Sequence, residues 1–445
     1  MTDGRDVGLV VEPAVGDACA AARAWSRLDV DVLGRPLSEW RRVTRRELGL
    51  PDEGVVVMTG HQAQVWHAGI LSKWFVAERC AEALGGAAAQ VVVDQDVNDA
   101  ALVSYPCVRG GSLAVTALAA TPARRVGPTA MQSTVRLAAP TNPPVDEARV
   151  GVERIVAAID REASAPSVAE QVVRANDALL RPFVAPFARV FASRMLATDL
   201  GNALVSEMSR NPARCIAAYA TALATDPHVA RPLDAERPEL PLWYLRADGR
   251  DRVYRWPSAT LATGASYAPR AFLMTAFARL ALCDLFVHGV GGKRYERVTE
   301  AWIRGWLGVE LAPMAVATAT LRLPLERFVD DAPTATIGDL RRLRADPDAD
   351  GPVRSPSPAK LAFIDRIAAL PRRSPERRAT YRALLGHLDA RRTARAADIE
   401  RVTALVASSR DRVELAAIAS SRTWPWPLHA DDRVVALRET IRRQP

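Results

Sequence analysis

The sequence predicts an α/β fold built on a parallel sheet, with inserted connecting segments and a C-terminal helical, coiled-coil arm. Three observations predict it. A short apolar run, a helical stretch and a second apolar run follow one another between residues 55 and 93, the pattern of a βαβ unit. A third apolar run, "ALCDLFVHGVGG", follows a helical segment at 269–285. Beyond Pro324 the composition turns to Arg, Ala, Leu and Glu at helical spacing.

In order along the chain, residues 17–48 read as one helix carrying Trp25, Leu28, Trp40 and Val43, and Pro51 ends it. Val55 to Met58 reads as a buried strand. Ala68 to Leu84 has apolar residues three and four apart and is stopped by Gly85-Gly86. Gln90 to Val93 is a second buried strand. Residues 100–150 are turn-rich and read as an insertion, and residues 151–225 as mostly helical. The stretch 239–256 reads as two strands around Asp248-Gly249. A core over 1–330, with insertions at about 100–150 and 151–240, is thus expected to precede a connector at 331–356. A helical arm at 357–420 follows, its heptad broken around 390–398, and then a tail at 421–445.

Composition excludes several classes. Hydrophobic residues make up 49% and charged residues 25% of 445 positions, as in an ordinary globular chain. Apolar runs fall short of the ~20 residues that span a bilayer, and "MTDGRDVGLVVEP" lacks the apolar stretch of a secretory signal, so a cytoplasmic protein is expected. Five dispersed cysteines form no CxxC pair, which argues against a disulfide framework or a structural zinc site. The net charge of +8 comes almost wholly from Arg; basic residues are not gathered with aromatics, so nucleic-acid binding, tRNA included, stays possible but is not indicated.

Three clusters carry candidate chemistry. The first is Thr59-Gly60-His61-Gln62 with His67, Gly69 and Lys73. It reads either as a tight turn with structural histidines or as a helix N-terminus gripping a phosphate, since such an end offers unpaired N–H groups and a positive dipole. On the second reading His61, His67 and Lys73 are the catalytic candidates, and Thr59, Gly60, Gln62 and Gly69 help hold the nucleotide. The second is Asp94-Gln95-Asp96-Val97-Asn98-Asp99 at the end of the second strand, where Asp94, Asp96, Asn98 and Asp99 could orient Mg²⁺, a ribose or an amine, or merely cap the next helix. The third is His288-Gly289-Val290-Gly291-Gly292-Lys293, a glycine-rich loop suited to wrapping a nucleotide, though not a Walker loop because Arg294 follows Lys293. Arg270 is a further candidate clamp for a carboxylate or phosphate. GxGxxG is absent, so a standard NAD site is not expected.

"WHAGILSKW" resembles the His-x-Gly-His signature of adenylate-forming nucleotidyltransferases, with Ile70 in place of the second histidine. The strand leading into Thr59-Gly60-His61-Gln62, the strand ending in Asp94–Asp99 and the helical arm together resemble the cysteine-adding ligases of bacillithiol biosynthesis. That resemblance implies a Rossmann-like, nucleotidyltransferase-like core, a dimerising coiled-coil arm, and a tail packed on the core. It also implies an ATP-dependent ligase that joins an amino-acid carboxylate to an amine. His61 stands where that family has Gln, which implies a different substrate. Two other classes stay open: a transferase using aminoacyl-tRNA, and a non-catalytic nucleotide-binding dimeric scaffold.

Overall fold

The computed structural model describes residues 8–122, 126–254, 266–329, 335–349 and 356–444. The chain divides into two compact units: Met1–Arg109 with Val115–Leu323 and Ser421–Pro445, and Gly110–Ala114 with Pro324–Ser420.

The larger unit is a mixed α/β structure around a six-stranded sheet. Its strands are β1 (Gly8–Glu12), β2 (Val56–Gln62), β3 (Ala87–Val93), β4 (Ala188–Phe191), β8 (Leu285–His288) and β9 (Met314–Thr320). Between β4 and β8 in the chain, β5 (Glu239–Arg246), β6 (Gly249–Tyr254) and β7 (Tyr267–Pro269) form a separate antiparallel sheet. The six-stranded order is β1-β9-β8-β2-β3-β4; only β1 runs antiparallel to its neighbour. From β2 the chain moves outward through β3 to β4, then returns to β8 and β9 on the other side. The direction of winding therefore reverses between β2 and β8.

The central strands read as continuous apolar runs because both faces are covered. Val56, Val57 and Met58 of β2 and Leu285 and Val287 of β8 are fully buried. Asp284 ties their starts together: its carboxylate accepts from the Val56 N–H and from Arg45 Nη2, each at 2.8 Å. Helix α3 (Ala68–Leu84) crosses from β2 to β3 and ends at Gly85, whose φ of 62° is the left-handed cap that glycine adopts without penalty.

Several sequence expectations are revised. The single helix over 17–48 is two, α1 (Val15–Ser26) and α2 (Leu37–Glu47). Leu33 and Gly34 turn with positive φ between them, and Pro36 caps the second start. The buried strand does not stop at Met58. It continues through Thr59-Gly60-His61-Gln62, each paired in register with Gln90 to Val93. Gly60 is required there by strand packing rather than by a turn, because a Cβ would lie 2.8 Å from the Val91 carbonyl oxygen. Within 151–225, α4 (Asp146–Arg161), α5 (Val168–Leu180), α6 (Asp199–Arg210) and α7 (Pro212–Leu223) match the helical reading, but β4 interrupts it. The hairpin around Asp248-Gly249 is present as β5 and β6, although residues 255–256 lie outside the described set. The helix at 269–285 is α8 (Ala271–Phe277), widened into a π-helical turn over Ala278–Leu282.

After β8 comes α9 (Gly292–Leu307), then β9. The smaller unit contains α10 (Ile337–Ala345), α11 (Pro358–Ala369), α12 (Pro375–Ala394) and α13 (Ala396–Ala419). The continuous helix read over 375–420 breaks at Arg395, inside the interval where the heptad fails. Of the expected connector at 331–356, α10 is described, and residues 330–334 and 350–355 lie outside the described set. The tail belongs to the larger unit. Its α14 (Asp431–Arg442) lies on α3, where Arg438 grips Glu78 through two hydrogen bonds of 3.0 and 2.7 Å. No helix among the described residues is long and apolar enough to cross a membrane.

Candidate functional site

A cavity of about 480 Å³ opens at the carboxyl ends of the parallel strands, where winding reverses between β2 and β8. Open α/β sheets bind ligands at such points because the loops leave the sheet in opposite directions there. Gly60, His61 and Gln62 line it from β2, Val91 and Val93 from β3, and Phe286 and His288 from β8. The start of α3 contributes His67, Gly69, Ile70 and Lys73. The loop Gly289–Gly292 closes another side.

Helix α3 starts where the sequence spacing places it, at Ala68 after His67; Thr59-Gly60-His61-Gln62 is strand, so His61 is not in the first turn of a helix. His67 is the N-cap of α3, its Nδ1 accepting from the Gly69 N–H at 3.1 Å. An accepting Nδ1 puts the ring proton on Nε2 in the neutral imidazole. Burial, with the charges of Arg422 and Lys73 nearby, holds His67 down to about 4, so it is neutral at pH 7. Gly69 lets the helix start approach β9: a Cβ there would lie 2.9 Å from the Thr318 hydroxyl oxygen.

Lys73 is only 3% exposed. Its Nζ donates to the Gly60 carbonyl at 2.6 Å, and among the described residues no carboxylate pairs with it. Burial pulls it down to about 7. The ordinary expectation for a lysine in a helix, a solvated side chain, is therefore overturned: this amine is buried, and burial weakens its hold on the proton. His61 beside it is pushed well below the usual imidazole range by burial and by the Lys73 charge. Its buried Nδ1 has no hydrogen-bond partner. An unsatisfied buried polar atom costs free energy and is held in place by its surroundings until something fills the cavity.

His288 is locked from three sides. Its Nε2 stands 3.2 Å from Glu296 and 3.0 Å from the Tyr295 hydroxyl. Gly292 abuts the ring so closely that a Cβ would lie 2.1 Å from Nδ1. Burial lowers the His288 pKa, and Glu296 opposes that shift. Burial would raise Glu296, but His288 and Arg279 outweigh it and keep the carboxyl below its ordinary value. Arg279 donates Nη1 to Glu296 at 2.5 Å and Nε to the Ala312 carbonyl at 2.8 Å, and its Nη2 pairs with Glu300. This arginine is delivered by the π-helical turn, a rare local geometry found disproportionately at functional sites.

The other expected residues divide. Asp96 reaches the cavity, but its carboxylate is engaged by Gln62 Nε2 at 3.1 Å and by Arg250. Asp94 does not line the cavity. Its oxygens accept from Ser193 N–H at 2.9 Å and Oγ at 2.5 Å, and burial raises it to about 6. Asn98 donates to the Ala63 carbonyl and Asp99 accepts from the Ala101 N–H, so both shape the turn after β3. Among the described residues no group of three His, Cys, Asp or Glu side chains could hold a metal ion, and these acids do not fit a resident Mg²⁺. Thr59 is buried below the cavity floor, donating to the Val287 carbonyl at 2.8 Å. Arg270 is no clamp for a ligand: it pairs with buried Glu239 at 2.6 Å and stacks over Trp243. Lys293 sits one residue into α9 and turns outward to Glu12 at 2.8 Å.

Sequence reasoning missed Arg422, Tyr295, Glu296, Arg279 and Gln95. Arg422 comes from the tail yet lines the cavity. The tail is held there by buried Trp424 and Trp426, and the Trp426 N–H donates to the Trp66 carbonyl at 2.7 Å. Gln95, flanked by acids that drew the attention, points its amide at Pro269 and Met274 and leaves Oε1 buried without a partner. For Glu296 the only signal was its position one turn after Gly292.

Comparison with protein-family models gives no match, and comparison with curated proteins gives none either.

Proposed function

We propose that this chain is an ATP-dependent ligase that activates an amino-acid carboxylate and transfers it to an amine. The observation that carries the reading is Lys73, a buried amine held without a carboxylate partner in a cavity at the carboxyl ends of β2 and β8. Strand order and the reversal of winding support a Rossmann-like core. In this proposal the substrate carboxylate oxygen attacks a phosphorus of ATP, and ADP or pyrophosphate leaves. The amine nitrogen then attacks the acyl carbon, and phosphate or AMP leaves. Lys73 stabilises the charge that grows on the transferring group, from a buried position where such a charge–charge contact is stronger than in water. His61, with its open Nδ1, accepts a proton from the attacking amine. Mg²⁺ enters on the ATP phosphates, which commonly supply most of its ligands.

The resemblance to cysteine-adding ligases belongs to this proposal, as does a dimerising role for the helical unit. Leu361, Tyr381, Leu385 and Val413 there are exposed apolar side chains.

Two measurements test it. The chain, incubated with ATP, Mg²⁺ and single amino acids, is expected to release ADP or AMP only with the cognate amino acid; no amino-acid-dependent release from any of them overturns the ligase reading. Calorimetry of ATP binding at pH 7.5 in buffers of different ionisation enthalpy tests the role of Lys73. An anion against Lys73 raises its pKa above its free value of about 7, so binding is expected to take up most of one proton. Binding without proton uptake removes Lys73 from the phosphate site.

A further inference from the structure

The cavity holds one more unpaired cation. Arg422 lines it, is exposed to solvent, and makes no hydrogen bond or ion pair among the described residues. Its approach is fixed by the chain around it. His67 and Pro425, three residues after Arg422, form an isolated antiparallel bridge, and the tail is seated on either side of it by Trp424, Trp426 and the bond from the Trp426 backbone N–H to the Trp66 carbonyl. His67 lies close enough to feel the charges of both Arg422 and Lys73. The N-cap bond of His67 consumes Nδ1 and leaves Nε2–H as a donor with no partner among the described residues. Three donors thus line one cavity: the Arg422 guanidinium, the Lys73 amine and the His67 Nε2–H. The acid nearest to them in the cavity lining, Asp96, is already paired with Gln62 and Arg250.

We infer that Arg422 and the His67 Nε2–H complete, with Lys73, a subsite for a phosphoryl group of the substrate. The inference rests on the nucleotide reading above and names the part of the substrate this corner takes. A planar guanidinium and a point-charged ammonium grip a tetrahedral anion from two sides, while the imidazole supplies a directed third bond. Arg422 is a binding residue brought from about 350 positions downstream of its partners. The bridge to Pro425 makes the tail a built part of the subsite.

The test is titration calorimetry of the full chain with inorganic tripolyphosphate, ATP and adenosine. Arg422→Ala is expected to weaken tripolyphosphate and ATP about 10- to 100-fold and to leave adenosine unchanged. Arg422→Lys is expected to recover part of the loss. Because Arg422 is exposed and unpaired, its melting temperature is expected to match that of the parent. His67→Asn keeps a side-chain acceptor for the Gly69 N–H, removes Nε2–H, and is expected to weaken tripolyphosphate about 10-fold. Equal tripolyphosphate affinity in the parent and in a folded Arg422→Ala chain overturns the subsite, as does a parent that does not bind tripolyphosphate. The nucleotide reading survives the first of these if ATP still binds. Arg422-dependent tripolyphosphate binding without amino-acid-dependent ATP turnover upholds the subsite and sinks the ligase.

Discussion

Lys73→Met is expected to bind ATP about 30-fold more weakly or worse, and yet to melt at a higher temperature than the parent at pH 6. The two effects share one cause. In the folded chain burial brings Lys73 down to about 7 from an ordinary 10.5, and the side chain is 3% exposed. Between those pH values the unfolded chain holds a proton that the folded chain has released, so stability climbs as pH rises through the window. Below pH 7 both states are protonated and the full cost of burying the ammonium is present, roughly 4–5 kcal/mol. Methionine fills the same space without the charge. It also leaves the Gly60 carbonyl without its donor, which takes back about 1 kcal/mol. The expected pattern is a gain of a few kcal/mol at pH 6 that shrinks to nothing by pH 10.5, read from urea denaturation across the series. A substitution that leaves stability pH-independent relative to the parent, and ATP affinity unchanged, would show that Lys73 is neither strained nor used.

Gly292→Ala is expected to destabilise the chain by about 2–4 kcal/mol and to cost at least about 100-fold in turnover. The added methyl would sit 2.1 Å from His288 Nδ1 and 2.5 Å from its Cγ, so the ring must leave its place. Glu296 then loses the imidazole and is left to Arg279 alone, a buried pair stripped of one partner. The neighbouring Gly291→Ala is the control. Nothing lies within 4 Å of its Cβ and its φ is −60°, so stability is expected to stay within about 1 kcal/mol. Equal stability losses in the two variants, from chemical denaturation, would mean that loop flexibility rather than the His288 contact sets the effect.

The difference between these two glycines marks the limit of what a linear reading can reach. Both stood in one motif, and only packing separates the one required by a ring from the one facing open space. The central strands and α3 were legible because buried parallel strands and a capped helix have local signatures: apolar runs, three-and-four spacing, Gly85 at the end. The edge strands were not. β1 is five residues long, β4 is four, and each takes its identity from a partner far along the chain. The same holds for the site. His61, His67, Lys73 and His288 fall next to strand ends and were visible as clusters. Thr59-Gly60-His61-Gln62 looked like a turn because Thr-Gly is a turn pair when nothing is known of β3, whose seven residues carry the ladder to Gln62. Asp94 and Arg270 were drawn in by residue type, and their partners, Ser193 and Glu239, are about 100 and 31 positions away. Arg422 could not be found at all without the fold that seats the tail.

Trp66 and Trp74 stack at 3.8 Å between ring centroids, and the Lys73 Nζ lies 5.4 Å from the Trp74 ring. Two indoles in van der Waals contact share their excited states, and an ammonium over the ring perturbs their emission in a way that the neutral amine does not. The chain therefore carries its own optical probe beside Lys73. Its near-ultraviolet dichroism and tryptophan emission are expected to change as Lys73 titrates around pH 7, and to change again when an anion displaces the amine from Gly60. A ligand screen can be run on the unlabelled protein, reading occupancy from light.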